Sequence, residues 1–312
     1  MTSPDCSQDQ SKVGYLFGYP IAHSLSPIVH QLVYKHLSVP YTYTLYESTD
    51  VQSFLRLTSA PDFYGAAVTM PFKVSIIPYL HALTPEGTAV GAINTIFLST
   101  TPQGDRQLHG TNTDCIGIRE ALRQNMSPSA FANCRAKPAL IIGGGGTSRA
   151  AVYALTEWLG ASPIYMLNRD ASEVAAVIEE CTARGFGSHL VHISSFAQAR
   201  CLETPAVIVS AIPDFPPQTE GEIMVRDSLT AILENAVPQG AVLEMCYHPS
   251  PNTAITRLAT SRGWKVIPGT EAMIWQGLEQ DRYWTGRDVE DMPVEEVKAA
   301  VAEALEKARA HI

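Results

Sequence analysis

The chain of 312 residues contains no apolar run approaching the ~18 residues that a membrane-spanning helix needs. Its start, "MTSPDCSQDQSK", is polar and lacks the apolar stretch of a secretory leader, so a cytoplasmic protein with no membrane partner is expected. Basic runs are missing too. The 22 Lys and Arg against 31 Asp and Glu give a net charge of −9, which argues against nucleic acid as a partner. A bound anion must then be held by local features and not by the overall field. The six cysteines (Cys6, Cys115, Cys134, Cys181, Cys201 and Cys246) form no C-x-x-C pair and no Cys/His pair at metal-ligand spacing. Reduced, structural thiols and no metal site follow from that pattern. Charge is scarce, at 17% against the roughly 25% usual in soluble proteins, while 46% of residues are apolar. This balance excludes a disordered chain, and the length suits two domains with sizeable cores.

What is present is an alternation of strand-like and helix-like segments. "VGYLFGYP" reads as a short buried strand, "SPIVHQLVYKHL" as a helix, "YTYTLYES" as a strand, "VQSFLRLTS" as a helix and "GAAVTM" as a strand. A helix-like "VSIIPYLHAL", interrupted by Pro78, and the strand "AINTIFLST" follow. A helix opens in "GTNTDCIGIREALRQN", with Thr113 or Asp114 as its cap, and "MSPSAFANCRAKP" has a linker's composition. A second alternating series starts at "ALIIGGGGTSRAAVYALTEWLG" and includes the strands "PIYMLNR", "AVIVSAI" and "AVLEMCY". From about Glu271 the chain is expected to be helical. Such alternation favours α/β layers with mostly parallel pairing.

The glycine stretch carries the clearest chemistry. An apolar strand runs directly into Gly143-Gly144-Gly145-Gly146, and a helix follows. Gly143 permits the tight turn. Gly145 lets backbone N–H groups approach a pyrophosphate at the helix N-terminus, where Gly146 and Thr147 also lie. In the G-x-G-x-x-G frame the third position is Ser148, a small residue in place of glycine. The next strand ends at Asn168-Arg169-Asp170, with Glu173 one turn on. An arginine there can pair with a 2′-phosphate and favour NADP. A carboxylate can accept from the ribose 2′-OH and repel a phosphate, favouring NAD. Two acids beside one arginine tilt the expectation to NAD, with NADP as the alternative.

Earlier in the chain, "AHSLSP" places Ser24 and Ser26 two residues apart before Pro27. Both hydroxyls can face one side and donate to a small carboxylate, although two serines before a proline-initiated helix are also an ordinary capping device. In "GAAVTMPFKVSIIPYL", Lys73 is the sole charge. Asn94 in "GAINT" and Asp114 in "NTD" both stand where a strand or loop feeds a turn. Singly these are turn and cap residues. Together a lysine, a carboxylate and an amide can relay a proton to or from a substrate hydroxyl while hydride leaves its carbon.

With these residues in place, the sequence resembles the shikimate/quinate dehydrogenase family from about Gly14 to Gly286. The blocks "GYPIAHSLSP", "AVTMPFK", "VGAINTIF", "GTNTDCIG", "IIGGGGTSRA", "LNRD", "GTEAMIWQG" and "YWTG" occur in the family's order and spacing. The resemblance implies an N-terminal α/β substrate-binding and catalytic domain (12–125) and a Rossmann-type dinucleotide-binding domain (126–268). C-terminal helices (269–312) would return to the substrate domain. It implies that Ser24 and Ser26 hold a substrate carboxylate, that Thr69, Asn94 and Gln276 hold ring hydroxyls, and that Tyr247 lines the site near the nicotinamide. Lys73 and Asp114 would be the catalytic pair. Ser210, Gly269 and Met273 would join the glycine loop, Asn168, Arg169 and Asp170 in binding the cofactor.

Three positions depart from the family pattern. Ser210-Ala211-Ile212-Pro213 replaces Asn-Ala-Thr-Pro, Glu244 replaces an aspartate, and Glu173 stands where a second NADP-binding arginine is usual. Within the family, NAD goes with quinate and NADP with shikimate. The acids therefore lead to the expectation of an NAD-preferring quinate dehydrogenase, with shikimate as a slower substrate. An NADP-dependent shikimate dehydrogenase and a ligand-sensing relative without catalysis are the alternatives.

Overall fold

The computed structural model describes residues 11–234 and 240–309; the polar start and its Cys6 lie outside the described residues. Strands β1 (Lys12–Gly18), β2 (Tyr41–Glu47) and β3 (Phe63–Val68) alternate with helices α1 (Ser26–His36) and α2 (Val51–Thr58). The expected helix over "VSIIPYLHAL" does not form. Pro78 lacks an N–H and the β-branched Ile76 and Ile77 precede it, so the segment makes only a 3₁₀ turn, Ile77–Tyr79, and the short strand β4 (Ala82–Leu83). Helix α3 (Pro85–Val90) and strands β5 (Thr95–Thr100) and β6 (Arg106–Thr111) complete this part. The six strands lie in the order β2-β1-β3-β5-β6-β4. β1 runs parallel to β2 and β3, and β4 parallel to β6, while β5 is antiparallel to β3 and β6.

A core of Phe17, Phe54, Phe63, Phe72, Ile76, Ile93 and Ile96 covers one face of this sheet. Phe17 stacks on Phe54 and Phe72 with ring centroids 4.3 and 4.4 Å away. Phe72 is therefore an anchor immediately before Lys73. Burying such a ring contributes about 1.5–3 kcal/mol, enough to hold the turn that carries the lysine.

The second series begins with α4 (Asp114–Asn125) and α5 (Pro128–Ala132). The latter occupies what was expected to be linker: Ser127 caps it, accepting from the N–H of Ala130 at 3.2 Å, and Pro128 starts it. Then follow β7 (Ala139–Ile142), α6 (Gly146–Tyr153) with a π-helical extension over Ala154–Trp158, and β8 (Ile164–Leu167). Next come α7 (Ala171–Ala183), β9 (Leu190–His192), α8 (Phe196–Ala199) and β10 (Val207–Ser210). The series ends with α9 (Glu220–Glu234), β11 (Ala241–Glu244), α10 (Ala254–Ser261) and β12 (Lys265–Pro268). Helices α11 (Gly269–Thr285) and α12 (Val294–Arg309) close the chain.

The second sheet is parallel throughout, in the order β12-β11-β10-β7-β8-β9. Its central strands are four-residue runs buried at every position, apolar except for Ser210 and Glu244 at the ends of β10 and β11, as expected of strands covered on both faces. Leu140, Ile142, Leu167, Ile208 and Val242 pack against Leu229, Ile232 and Ile255 of α9 and α10. Chain order reverses between β7 and β10. That is the switch point of a doubly wound Rossmann-type sheet, where ligands meet the carboxyl ends of the strands.

The chain divides into two compact units. One gathers the described residues up to Thr88, Ala92–Thr113 and the residues from Gly277 on; the other holds Ala89–Gly91 and Asp114–Gln276. The divisions thus fall before α4 and within α11, whereas the sequence suggested 125/126 and 268/269. Among the described residues no helix is long and apolar enough to cross a membrane. The five described cysteines are free thiols, with Cys115, Cys134 and Cys181 buried, Cys246 partly buried and Cys201 exposed.

Candidate active site

In the second unit the glycine stretch forms the turn that the sequence predicts. Gly143 has φ +129°, and a Cβ there would lie 3.0 Å from both the Ala211 carbonyl oxygen and Ser148 Oγ. Ser148 is itself fully buried, so the third motif position needs a small side chain and a serine suffices. Gly145 caps α6 and has open space where a Cβ would be, so the N–H groups at the start of the helix can meet an anion. A cavity of about 190 Å³ opens here, lined by Gly143–Gly145, Asn168, Arg169, Glu173 and the exposed Phe215.

Charge in this corner is arranged by short hydrogen bonds. Asn168 Nδ2 donates to Glu173 Oε2 at 2.5 Å, and Asn168 Oδ1 accepts from the N–H of Arg169 at 2.9 Å. A Cβ on Gly144 would lie 2.7 Å from that Glu173 oxygen, which puts the carboxylate directly beside the glycine loop. Asp170 caps α7. Hydrogen bonds from the Ser172 hydroxyl and N–H, at 2.6 and 2.8 Å, hold its carboxyl below the usual range. The guanidinium of Arg169 is paired with Glu222 at the start of α9.

Beyond the switch point, Ser210 ends β10 and lies in register with Glu244 at the end of β11. Glu244 is buried, and its oxygens accept from the N–H of Cys246 at 3.1 Å and the Thr253 hydroxyl at 3.2 Å. Burial outweighs these bonds and pushes its carboxyl up to about 7. Tyr247 follows in the same loop. Burial, with Cys246 and Asp114 nearby, raises its phenol above the ordinary value. Gly269 opens α11 so close to β11 that a Cβ would meet the Met245 carbonyl at 2.4 Å. Further along that helix, Gln276 Nε2 donates to the Met273 carbonyl at 3.0 Å. Gly117 of α4 packs on the same helix, where a Cβ would come within 2.4 Å of the Ala272 carbonyl and 2.9 Å of Gln276 Cβ.

In the first unit, Ser24, Ser26, Thr69, Lys73 and Asn94 lie at the ends of neighbouring strands or in the turns that follow. Ser24 Oγ donates to Ser26 Oγ at 3.2 Å, and Ser26 opens α1 with Pro27 behind it. The N–H of Thr69 reaches the Phe17 carbonyl at 2.9 Å, and a Cβ on Gly18 would collide with the Thr69 methyl at 2.3 Å. Val68 N–H donates to the Asn94 carbonyl, and Ile93 N–H to the Lys73 carbonyl, both at 2.8 Å. The ends of β3, the Lys73 turn and the start of β5 are thereby tied together. The Asn94 side chain is buried and engaged: Oδ1 accepts from Thr113 N–H at 2.7 Å and the Thr95 hydroxyl at 2.9 Å, while Nδ2 donates to Thr113 Oγ1 at 2.9 Å. This fixes Thr113, the residue before Asp114, which opens α4 in the second unit.

The sequence reading missed several residues that shape these corners. Gln280 of α11 supports Asn94 and Thr95, donating to the Asn94 carbonyl at 3.2 Å and Thr95 Oγ1 at 3.0 Å. His30 and Asp281, both fully buried, join α1 to α11 through a 2.9 Å contact. Neither follows from local pattern, since the partners are 185 or more residues apart. Glu222 did leave a signal: Thr219-x-x-Glu222 ahead of an apolar run is a capping box.

Comparison with known proteins agrees with this architecture. Residues 16–96 match the family described as the shikimate dehydrogenase substrate binding domain. A quinate dehydrogenase of Emericella nidulans is 47% identical over 314 aligned residues, covering 95% of each chain. Among solved structures, the dehydroquinate dehydratase and shikimate dehydrogenase from S. pombe AroM superposes with a TM-score of 0.79 at 33% identity. That match covers 94% of this chain and 53% of the S. pombe chain. A quinate dehydrogenase from Corynebacterium glutamicum gives a TM-score of 0.77 over 94% of this chain and 100% of its own. At 20% identity that likeness is one of fold. With two α/β units, a glycine-loop corner and near-full-length similarity to a quinate dehydrogenase, this chain belongs to the shikimate/quinate dehydrogenase family of enzymes.

Proposed function

We propose that this enzyme oxidises the ring hydroxyl of quinate to the 3-dehydro ketone with NAD as the preferred acceptor, shikimate being a slower substrate. The observation that carries the cofactor preference is the state of Arg169: its guanidinium is already paired with Glu222, and the Glu173 carboxylate stands beside the glycine loop. A 2′-phosphate would meet two carboxylates and an occupied arginine, whereas a ribose 2′-OH can donate to one of them. The quinate preference rests on the Emericella nidulans relative. A nicotinamide dinucleotide fits the residues present, with open space at Gly145 for a pyrophosphate on the N–H groups of α6 and apolar Phe215 flanking the same cavity. When bound, it supplies the hydride acceptor.

The chain's own residues do the rest. Ser24 and Ser26 donate to the substrate carboxylate, while Thr69, Asn94 and Gln276 position the ring hydroxyls. Lys73 takes the proton of the reacting hydroxyl, and Asp114 is the carboxylate that orients it. Ser210, Gly269, Met273 and Tyr247 line the nicotinamide end. Initial rates at 340 nm over quinate or shikimate with NAD⁺ or NADP⁺ test this. The highest kcat/KM belongs to quinate with NAD⁺; a maximum at shikimate with NADP⁺ would assign the enzyme to the biosynthetic direction instead.

A further inference from the structure

We propose that Glu222 on α9 is the residue that sets dinucleotide selectivity, by occupying Arg169 and denying it to a 2′-phosphate. The inference rests on the dinucleotide-binding reading above and deepens it. It moves the determinant from the loop after β8, where Arg169, Asp170 and Glu173 lie, to a helix some fifty residues later. Arg169 carries the one basic side chain in that loop, and an arginine at the end of this strand is the group that accommodates a 2′-phosphate. Left alone it would draw the phosphorylated cofactor.

Three features make the Glu222 carboxylate a built counter-charge and not a chance surface contact. It closes a capping box: Oε2 accepts from the N–H groups of Gln218 at 2.9 Å and Thr219 at 3.0 Å, while Thr219 Oγ1 accepts from the N–H of Glu222 at 3.3 Å. The other oxygen, Oε1, is thereby left facing Arg169. The preceding residue is Gly221, where a Cβ would lie 2.7 Å from the Arg169 carbonyl, so the start of α9 can press against this loop only with glycine at that position. The hydrogen bonds from Gln218, Thr219 and Arg169 lower the Glu222 carboxyl to about 2, so it is charged throughout the working range. Arg226, one turn further along α9, and Glu173 line the same cavity and are unchanged in a Glu222 variant, so Arg169 is the group whose pairing alters.

The test separates the charge from the cap. Glu222→Gln retains a side-chain oxygen for the capping box, since glutamine serves there as well as glutamate, and removes the charge that holds Arg169. The probes are adenosine 2′,5′-bisphosphate and adenosine 5′-monophosphate, titrated calorimetrically onto the full chain. The wild type should prefer the monophosphate, and Glu222→Gln should tighten the bisphosphate relative to it by tenfold or more. Arg169→Ala added to that variant should abolish the gain. An unchanged ratio in Glu222→Gln, with an unchanged melting temperature, would overturn the proposal. A gain that survives Arg169→Ala would overturn it as well, because the effect would then be general charge removal. Should Glu222→Gln fold poorly, Glu222→Asp serves: its shorter carboxylate retreats from Arg169, and the ratio should move in the same direction. The dinucleotide reading fails separately, if neither adenosine probe binds the wild type.

Discussion

The two corners of this enzyme are built from different materials. In the second unit the glycine loop is made of backbone: Gly143 and Gly145 are used for what they lack, and Ser148 is tolerated because it is small and buried. In the first unit the corner is made of polar side chains already bonded to one another. Asn94 holds Thr95 and Thr113, Gln280 holds Asn94 and Thr95, and Ser24 holds Ser26. A backbone site offers the same N–H groups to any anion of suitable shape. A side-chain site fixes direction and spacing, which is what telling one ring hydroxyl from another requires. On the proposed reading, selectivity for the cofactor has to be added to the backbone corner by charged groups at its edge, the role proposed for Glu173 and Glu222.

Three substitutions should affect the two corners differently. The largest effect is expected in the side-chain corner, where Lys73→Ala should lower kcat by ~10²–10⁴ with a smaller change in KM. Steady-state rates on purified variant check this, and near-full turnover would return Lys73 to an ordinary turn lysine.

The next effect concerns Glu244, a buried carboxylate at the end of a central strand of the second unit. Its carboxyl is raised from an ordinary 4.5 to about 7, so the fold favours the neutral form. The stability this group contributes is complete below its unfolded value and is lost as pH rises through about 7. Glu244→Gln should therefore gain on the wild type as pH rises from 5 to 8, by up to about 3 kcal/mol. Thermal melts of both proteins across that range measure the gap. A gap independent of pH would mean that Glu244 titrates normally and that the loop carrying Tyr247 needs no neutral acid beneath it.

The smallest effect is expected in the backbone corner. A Cβ at Gly144 would lie 2.6 Å from Glu173 Cβ and 2.7 Å from Asn168 Nδ2, so Gly144→Ala must displace one of them. Overpacking of about 1–2 kcal/mol corresponds to roughly a tenfold rise in the KM for dinucleotide, with kcat little changed. If quinate KM rose instead, the separation of the two corners would be wrong.

Much of this is legible in the amino-acid sequence. The alternation of β1, α1, β2, α2 and β3, and the strand–glycine–helix unit at β7 and α6, follow from short apolar runs and from turn chemistry that is local to the chain. Segments whose identity depends on partners are not. β6, "RQLHGT", is only partly apolar and becomes a strand by pairing with β5 and β4. The stretch after Lys73 has helical spacing, yet Pro78 and its β-branched neighbours break it into turns.

The same division holds at the site. The glycine loop is marked by its strand–glycine–helix frame, whereas Ser24, Ser26, Lys73, Asn94 and Asp114 read singly as turn and cap residues and take their expected roles from the family resemblance. Local pattern thus gives an α/β chain with a dinucleotide loop, and the family resemblance adds the dehydrogenase reading; that Lys73 follows a buried phenylalanine is seen only in the folded chain. The engagement of Arg169 by Glu222, the support of Asn94 by Gln280 and the burial of Glu244 among Ser210, Cys246 and Thr253 arise only on folding. Each of these depends on a long-range meeting or on burial from water. Hydrogen bonds and charges change their worth with the partner and with the dielectric around them, and neither is written in the neighbouring residues.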